Sequence, residues 1–252
     1  MRQPPDPRDS LERAATVLRD ARSVVVFTGA GVSAESGLAT FRSGANAIWN
    51  DPEVSTYPTP RGYRAHIPKS WRWYAMRAET AANATPNPGH VGIAEIERRV
   101  PEFLLVTQNV DGLHHRAGSK SVVELHGNLR ETRCFDCNAR SPWPSQPADP
   151  KCARCGGLLR PDVVFFEEDL PFDALDRARD AAERCDVLIS VGTSNLVWPA
   201  RELPDLAHAA GAAVVIVNVD MTGQMPPSDR VTHLTGSAAE MLPHLVAEAW
   251  RS

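Results

Sequence analysis

The chain has 252 residues, 42% hydrophobic and 23% charged, which suits one large globular domain with or without an appendage and excludes a disordered or fibrous chain. Its 27 lysines and arginines against 31 aspartates and glutamates leave a net charge of −4, which argues against nucleic acid or an anionic membrane as main partner. No apolar run approaches the roughly 20 residues of a membrane span. The first residues, MRQPPDPRDSLERAA, carry prolines and acids where a signal peptide is apolar, so a cytoplasmic location is expected. In that reducing compartment the five cysteines are expected to be metal ligands, buried fillers or a nucleophile rather than disulfides.

In chain order, Asp9 or Ser10 is placed to cap a helix over 11–21 with Leu11, Ala14, Ala15 and Leu18 on one face. Ser23 to Phe27 is a near-continuous apolar run, as a parallel strand buried on both faces requires, and it breaks at Thr28-Gly29-Ala30-Gly31. Residues 42–87 gather Trp49, Trp71 and Trp73 with Tyr57, Tyr63 and Tyr74 between proline-rich turns, and predict a small helical insertion. A helical stretch at 88–99 leads into a strand at 102–106. Residues 130–160 hold four cysteines with Pro142, Pro144, Pro147 and Pro150, and little that forms a core, so a second insertion folded around a metal is expected. Helical stretches at 172–184 and 202–210 then lead into strands at 186–191 and 213–218. This alternation predicts an open parallel sheet with helices on both sides. The strands end in TGAG, TQNVDG, GTSN and NVD, and these four loops should converge on one ligand site at the carboxyl edge of the sheet.

Gly29-Ala30-Gly31-Val32-Ser33 follows a strand and precedes a predicted helix, so the glycines let the backbone approach either a diphosphate or merely a tight turn. The acid expected about 20 residues further on, which would bind a ribose in a dehydrogenase, does not follow a recognisable strand. Cys134-x-x-Cys137 and Cys152-x-x-Cys155, 14 residues apart, form two knuckles whose four thiolates suit a structural zinc with no open coordination position. Cys185 reads as a buried small hydrophobe. Gln108, Asn109 and Asp111 stand at the end of a buried strand, where they either face a ligand or make local turn bonds. His126 lies between polar neighbours just before the cysteine segment, as a structural or a catalytic histidine.

Together these motifs resemble the sirtuins: Gly29 to Gly37, Thr40-Phe41-Arg42, Thr107 to His114, Leu125-His126-Gly127, the paired knuckles, Gly192-Thr193-Ser194 and Asn218 occur in the order of that family. The resemblance spans about residues 10–248. It implies an α/β fold, a Rossmann-like parallel sheet with helices on both faces plus a small zinc-binding and helical module. The implied division is a Rossmann-like NAD-binding unit of 1–41, 102–129 and 161–252, a helical insertion of 42–101 and a zinc-binding module of 130–160.

The resemblance further implies NAD-dependent deacylation of protein lysines by ADP-ribosyl transfer. The acyl oxygen attacks the ribose carbon that bears nicotinamide, nicotinamide leaves, and a ribose hydroxyl attacks the resulting imidate, giving O-acyl-ADP-ribose and free lysine. On this likeness His126 is the general base and Asn109 a second catalytic residue. Gln108, Asn109 and Asp111 surround nicotinamide and its ribose, with Gly29, Ala30, Gly31, Ser33, Glu35, Phe41 and Arg42 on the cofactor loop. Gly192, Thr193, Ser194, Asn218, Val219, Asp220, Ser237 and Ala238 match the phosphate and adenosine end. Val163, Phe165 and Glu167 fall where the substrate backbone pairs as an added strand. A structural zinc on Cys134, Cys137, Cys152 and Cys155, an acylated protein lysine as partner and a monomeric state complete the expectation.

Trp71, Tyr74, Arg77 and Asn87-Pro88-Gly89-His90 follow the order found in sirtuins that remove malonyl, succinyl or glutaryl groups. Tyr74 and Arg77 share a helix face, and a phenol beside a guanidinium can hold a carboxylate. The alternative is an aromatic core stripe with a surface arginine. Three departures from the family pattern stand out. Ala39 replaces a proline, the stretch from Arg42 to Trp49 is one residue longer and reads Ala-Ile-Trp for Gly-Leu-Trp, and Val163-Val164-Phe165-Phe166-Glu167-Glu168 replaces Val-Val-Trp-Phe-Gly-Glu. Glu167 puts a charged side chain at a glycine position, which disfavours acidic substrates, selects basic sequence around the lysine, or signals another acceptor. The rival functions are an NAD hydrolase or ADP-ribosyltransferase on the same scaffold and a non-catalytic NAD-sensing interaction module.

Overall fold

The computed structural model describes residues 6–38, 51–143 and 150–251. Its strands are β1 Ser23–Thr28, β2 Glu102–Thr107, β3 Val122–Glu124, β4 Gly127–Cys134, β5 Arg140–Pro142, β6 Leu159–Val163, β7 Val187–Val191, β8 Ala213–Asn218 and β9 Val231–Thr235. The helices are α1 Pro7–Asp20, α2 Pro60–Ala65, α3 Lys69–Asn83, α4 Pro88–Arg99, α5 Leu113–Arg116, α6 Phe172–Arg184, α7 Leu203–Ala210 and α8 Ala238–Ala249. None is long and apolar enough to cross a membrane.

Six strands form a parallel sheet in the order β3-β2-β1-β7-β8-β9. Alternate side chains of each strand enter opposite layers, so both faces must be apolar. Val24, Val26, Leu105, Ile189 and Val215 pack on one side with α1, α4 and α8, while Val25, Phe27, Val106, Leu188 and Ile216 pack on the other with α6 and α7. The first helix starts earlier than expected: Asp6 accepts the Arg8 N–H at 2.8 Å, Pro7 opens the first turn, and Ser10 is buried inside the helix. The expected 202–210 helix begins as a 3-10 turn, Ala200–Glu202, before α7.

Two sheet strands, β3 and β9, lie outside the predicted alternation. Both are outermost, three and five residues long, and break the apolar run with Glu124 or with Thr232 and His233. A strand with one neighbour needs less apolar sequence than a central one, which is why neither stands out.

The two insertions share a second core. Tyr57, Tyr63, Trp71 and Tyr74 pack with Leu129, Cys134, Cys152, Leu159, Val163 and Phe165. The cysteine segment thus contributes to a core, contrary to its composition-based reading, because its apolar partners come from the helical insertion. A three-stranded antiparallel sheet, β5-β4-β6, carries that side of the module. Helix α4, which the division at residue 101 assigns to the insertion, buries Ile93 and Ile96 in the core of the large sheet instead.

Candidate active site

The chain leaves β1 toward β2 and β3 on one side, and from β7 runs to β8 and β9 on the other. The carboxyl ends of β1 and β7 therefore form the crevice where open α/β sheets bind ligands. The Gly29 N–H donates to Val191 O at 3.0 Å, the Gly31 N–H to Gly192 O at 2.8 Å, and the Gly192 N–H to Val217 O at 2.9 Å. A Cβ on Gly31 would stand 2.7 Å from Gly192 Cα, and one on Gly192, held at φ +58°, would stand 2.5 Å from the Val32 nitrogen. Contact between two loops thus requires these glycines, whatever else the loops approach. The helix expected after the glycine loop is a 3-10 helix, Ala30–Ser36, with Glu35 exposed.

Thr193 ties three strand ends together. Its Oγ1 accepts from Gln108 Nε2 at 3.1 Å and from the Asn195 N–H at 3.2 Å, while its carbonyl accepts from Asn218 Nδ2 and Gln224 Nε2, both at 2.9 Å. The Gly236 N–H donates to Asn218 O at 3.0 Å, which brings Ser237 and Ala238, at the start of α8, beside that strand end. Ser237 caps α8 and Ala238 is buried. Ser194, Val219 and Asp220 are exposed along the same edge, and Asp220 is held by the Thr222 N–H at 2.9 Å. The four loops expected to meet do meet. Phe41 and Arg42, with Ala39 and Trp49, lie outside the described residues.

Beneath the crevice sits a buried polar cluster. The Ser33 hydroxyl donates to Asp111 Oδ2 at 2.8 Å and accepts from Asn109 Nδ2 at 3.1 Å, and His90 Nε2 lies 3.3 Å from it. With its proton on Asp111, Ser33 can only accept from His90, so His90 carries its proton on Nε2. Its Nδ1 then accepts the Asn87 N–H at 3.3 Å, closing a capping box at the start of α4. Behind it, Thr28 Oγ1 bonds Thr107 Oγ1 at 2.8 Å and His114 Nε2 at 3.0 Å, and Thr107 Oγ1 also accepts the Asn109 N–H at 3.0 Å. Burial lowers the pKa of His90 to about 4 and holds that of His114 well below the usual histidine range, and the two rings lie 4.9 Å apart. Both are neutral spacers that fix Ser33 and Asn109. Sequence reasoning passed over Thr28, His90, His114 and Gln224, whose only signal was a place within or near the quoted motifs.

His126 stands at the end of the next segment. Its Nδ1 lies 3.0 Å from Gln108 O, an acceptor, so Nδ1 carries the proton and Nε2 is left as a bare nitrogen. Burial lowers its pKa while the bond to Gln108 opposes the shift, so the ring is neutral at pH 7. Gln108 therefore positions the histidine by its carbonyl and Thr193 by its amide.

Tyr74 is buried, stacked on Phe165 with centroids 5.7 Å apart, and edge-on to Trp73 at 4.6 Å. It belongs to the aromatic core, as the plainer reading had it, yet Arg77 stands one turn on, 4.9 Å over the Trp73 ring. Burial lowers the Arg77 pKa, while Tyr74 and Asp111 act in the opposite sense and favour its charged form. Val163 and Phe165 are buried on the same wall, and the Val164 N–H donates to His126 O at 2.9 Å. Glu167 is exposed, in the left-handed region at φ +73°.

The sulfurs of Cys134, Cys137, Cys152 and Cys155 all lie within 4.8 Å of one another, with 3.5 Å between Cys134 and Cys155 and 3.8 Å between Cys137 and Cys152. Tetrahedral zinc with bonds near 2.3 Å sets its sulfurs about 3.8 Å apart, so the four cysteines are positioned to hold one zinc ion. The Gly157 N–H favours the Cys155 thiolate, but Cys137 and Cys134 beside it drive its pKa up to about 12, a crowding that a divalent cation relieves. Cys185 is buried and unconnected to this site.

Comparison with known proteins agrees with this geometry. The Sir2 family model matches residues 29–199. An NAD-dependent protein deacylase of Methylococcus capsulatus is 45% identical over 93% of this chain and 95% of its own. NAD-dependent protein deacylase 2 of Pyrobaculum aerophilum is 46% identical over 94% and 95%. A crystal structure of a Sir2 homolog–NAD complex superposes with a TM-score of 0.86 at 44% identity, covering 94% of this chain and 93% of that one. On fold, site and sequence alike, the chain belongs to the Sir2 family.

Proposed function

We propose that this protein removes acyl groups from protein lysines at the expense of NAD, with a preference for acidic acyl groups such as succinyl and malonyl. The observation that carries the catalytic part is the tautomer of His126: Nδ1–H is fixed on Gln108 O, so Nε2 is free to accept a proton. The lowered pKa keeps that nitrogen unprotonated at neutral pH, ready to take a ribose hydroxyl proton. Asn109, whose carboxamide and backbone are both fixed, would position the reacting ribose, with Gln108 and Asp111 beside it. Gly29, Ala30, Gly31, Ser33, Glu35, Phe41 and Arg42 would hold the nicotinamide half. Gly192, Thr193, Ser194, Asn218, Val219, Asp220, Ser237 and Ala238 would hold the adenosine half.

NAD supplies the glycosidic carbon and the leaving nicotinamide. On this reading the unit of 1–41, 102–129 and 161–252, joined by α4, binds NAD, while the zinc ion stiffens the wall formed by Val163 and Phe165. The acyl preference rests on Arg77, one helical turn from Tyr74 and over the Trp73 ring, because a guanidinium is the side chain that binds a carboxylate in a bidentate manner. The test presents otherwise identical peptides bearing succinyl-, malonyl-, acetyl- or unmodified lysine, with free lysine read by mass spectrometry. Faster loss of the acidic groups is expected. Acetyl-lysine turned over fastest would overturn the preference, and nicotinamide released equally with all four peptides would favour NAD hydrolysis.

A further inference from the structure

Glu167 is the third residue of a four-residue turn closed by the Glu168 N–H on Phe165 O at 3.2 Å. Its φ of +73° is a conformation that favours glycine and that a glutamate adopts only under constraint. The constraint is visible: Glu168 accepts the Phe165 N–H at 2.8 Å and the Arg160 guanidinium, and buried Arg160 lies 3.7 Å over the Phe165 ring. Glu168 is therefore fully engaged in holding the turn. Glu167 is not; its side chain is exposed and no described residue pairs with it.

The turn stands at the mouth of the site. Val164 is bonded to the His126 carbonyl, Phe165 stacks on Tyr74, and Glu167 follows two residues later at the surface. The chain reaches this point from β6, whose five residues are all buried, so Phe166 and Glu167 are the first exposed residues beyond that strand. A lysine side chain reaching His126 and Tyr74 must carry its own backbone past this turn. We infer that Glu167 is a specificity residue, which selects target sequences with a lysine or arginine next to the acyl-lysine and disfavours those with an acid there. The inference deepens the deacylase reading and rests on it.

The test measures kcat/KM and peptide affinity, the latter by fluorescence anisotropy, for acyl-lysine peptides with arginine, alanine or glutamate at each of the two positions on either side. Wild type should prefer arginine over glutamate by about five-fold at one position or more in low salt, mostly through KM, with the preference shrinking at high salt. Glu167→Gln, which keeps the shape and removes the charge, should abolish the preference, and Glu167→Gly should do the same while relieving the turn. A preference that survives Glu167→Gln, or its absence from the wild type, overturns the inference. Turnover without a charge preference leaves the deacylase reading standing and removes this one. Peptide binding by the wild type without acyl loss overturns the deacylase reading, and the inference that rests on it falls too.

Discussion

Replacing Gly31 by alanine tests the contact on which the crevice is built. The new methyl group would sit 2.7 Å from both Gly192 Cα and Gly192 O, which are backbone atoms that no rotamer change can move aside. To restore ordinary contact the two loops must part by about 0.7 Å. That movement stretches the 2.8 Å bond from Gly31 to Gly192 beyond hydrogen-bonding range and pulls on the Gln108–Thr193 bridge. Overpacking costs about 1–3 kcal/mol and the lost bond about 1 kcal/mol. A total near 3 kcal/mol lowers Tm by about 6–12 °C for a chain of this size. Because the same loops are proposed to hold NAD, its affinity should fall as well. Gly37→Ala is the control: its φ is +80°, with nothing within 4 Å, so it should cost about 1 kcal/mol of backbone strain and leave NAD binding alone. Differential scanning calorimetry and titration calorimetry with NAD measure both quantities. Wild-type Tm and NAD affinity in Gly31→Ala would refute the reasoning.

Three further outcomes are expected. His90 is buried neutral, its pKa depressed from 6.5 to about 4, and His114 is depressed too, so the stabilisation is complete above pH 6.5 and is lost as pH falls from there toward about 4. Urea unfolding at pH 7.5, 6 and 5 should show stability declining over that range by a few kcal/mol, and a flat profile would contradict the assignment. Chelation should release one zinc per chain and unfold at least the second core, into which Cys134 and Cys152 are packed; unchanged Tm after metal loss would count against a structural ion. Arg77→Met should raise the KM for succinyl-lysine about 10- to 100-fold, the worth of a charge-assisted bond, with acetyl-lysine little affected. Equal effects on the two substrates would remove the carboxylate clamp.

The central strands were legible because burial on both faces leaves an unbroken apolar run, as in Val24-Val25-Val26-Phe27 and Val214-Val215-Ile216-Val217. Edge position hid β3 and β9, whose single neighbour demands less of the sequence. The paired knuckles stood out because four thiols at that spacing have few other uses. The core they share with Tyr63 and Trp71 did not, since it depends on residues about 70 positions away. The glycines of the first loop were visible, but their reason was not: the atom that excludes a side chain at Gly31 belongs to Gly192. Likewise the tautomers of His90 and His126 follow from bonds made to Ser33 and Gln108, which only the folded chain displays.

The measurement that bears most directly on the account is the coupling of NAD cleavage to lysine release, in wild type and in His126→Ala. Purified protein with NAD and a succinyl-lysine peptide should yield one nicotinamide for each lysine freed, with little nicotinamide when the lysine is unmodified, and His126→Ala should lose lysine release by several orders of magnitude while still binding NAD. Near-normal deacylation by the variant, or nicotinamide release that ignores the acyl-lysine in wild type, would contradict it.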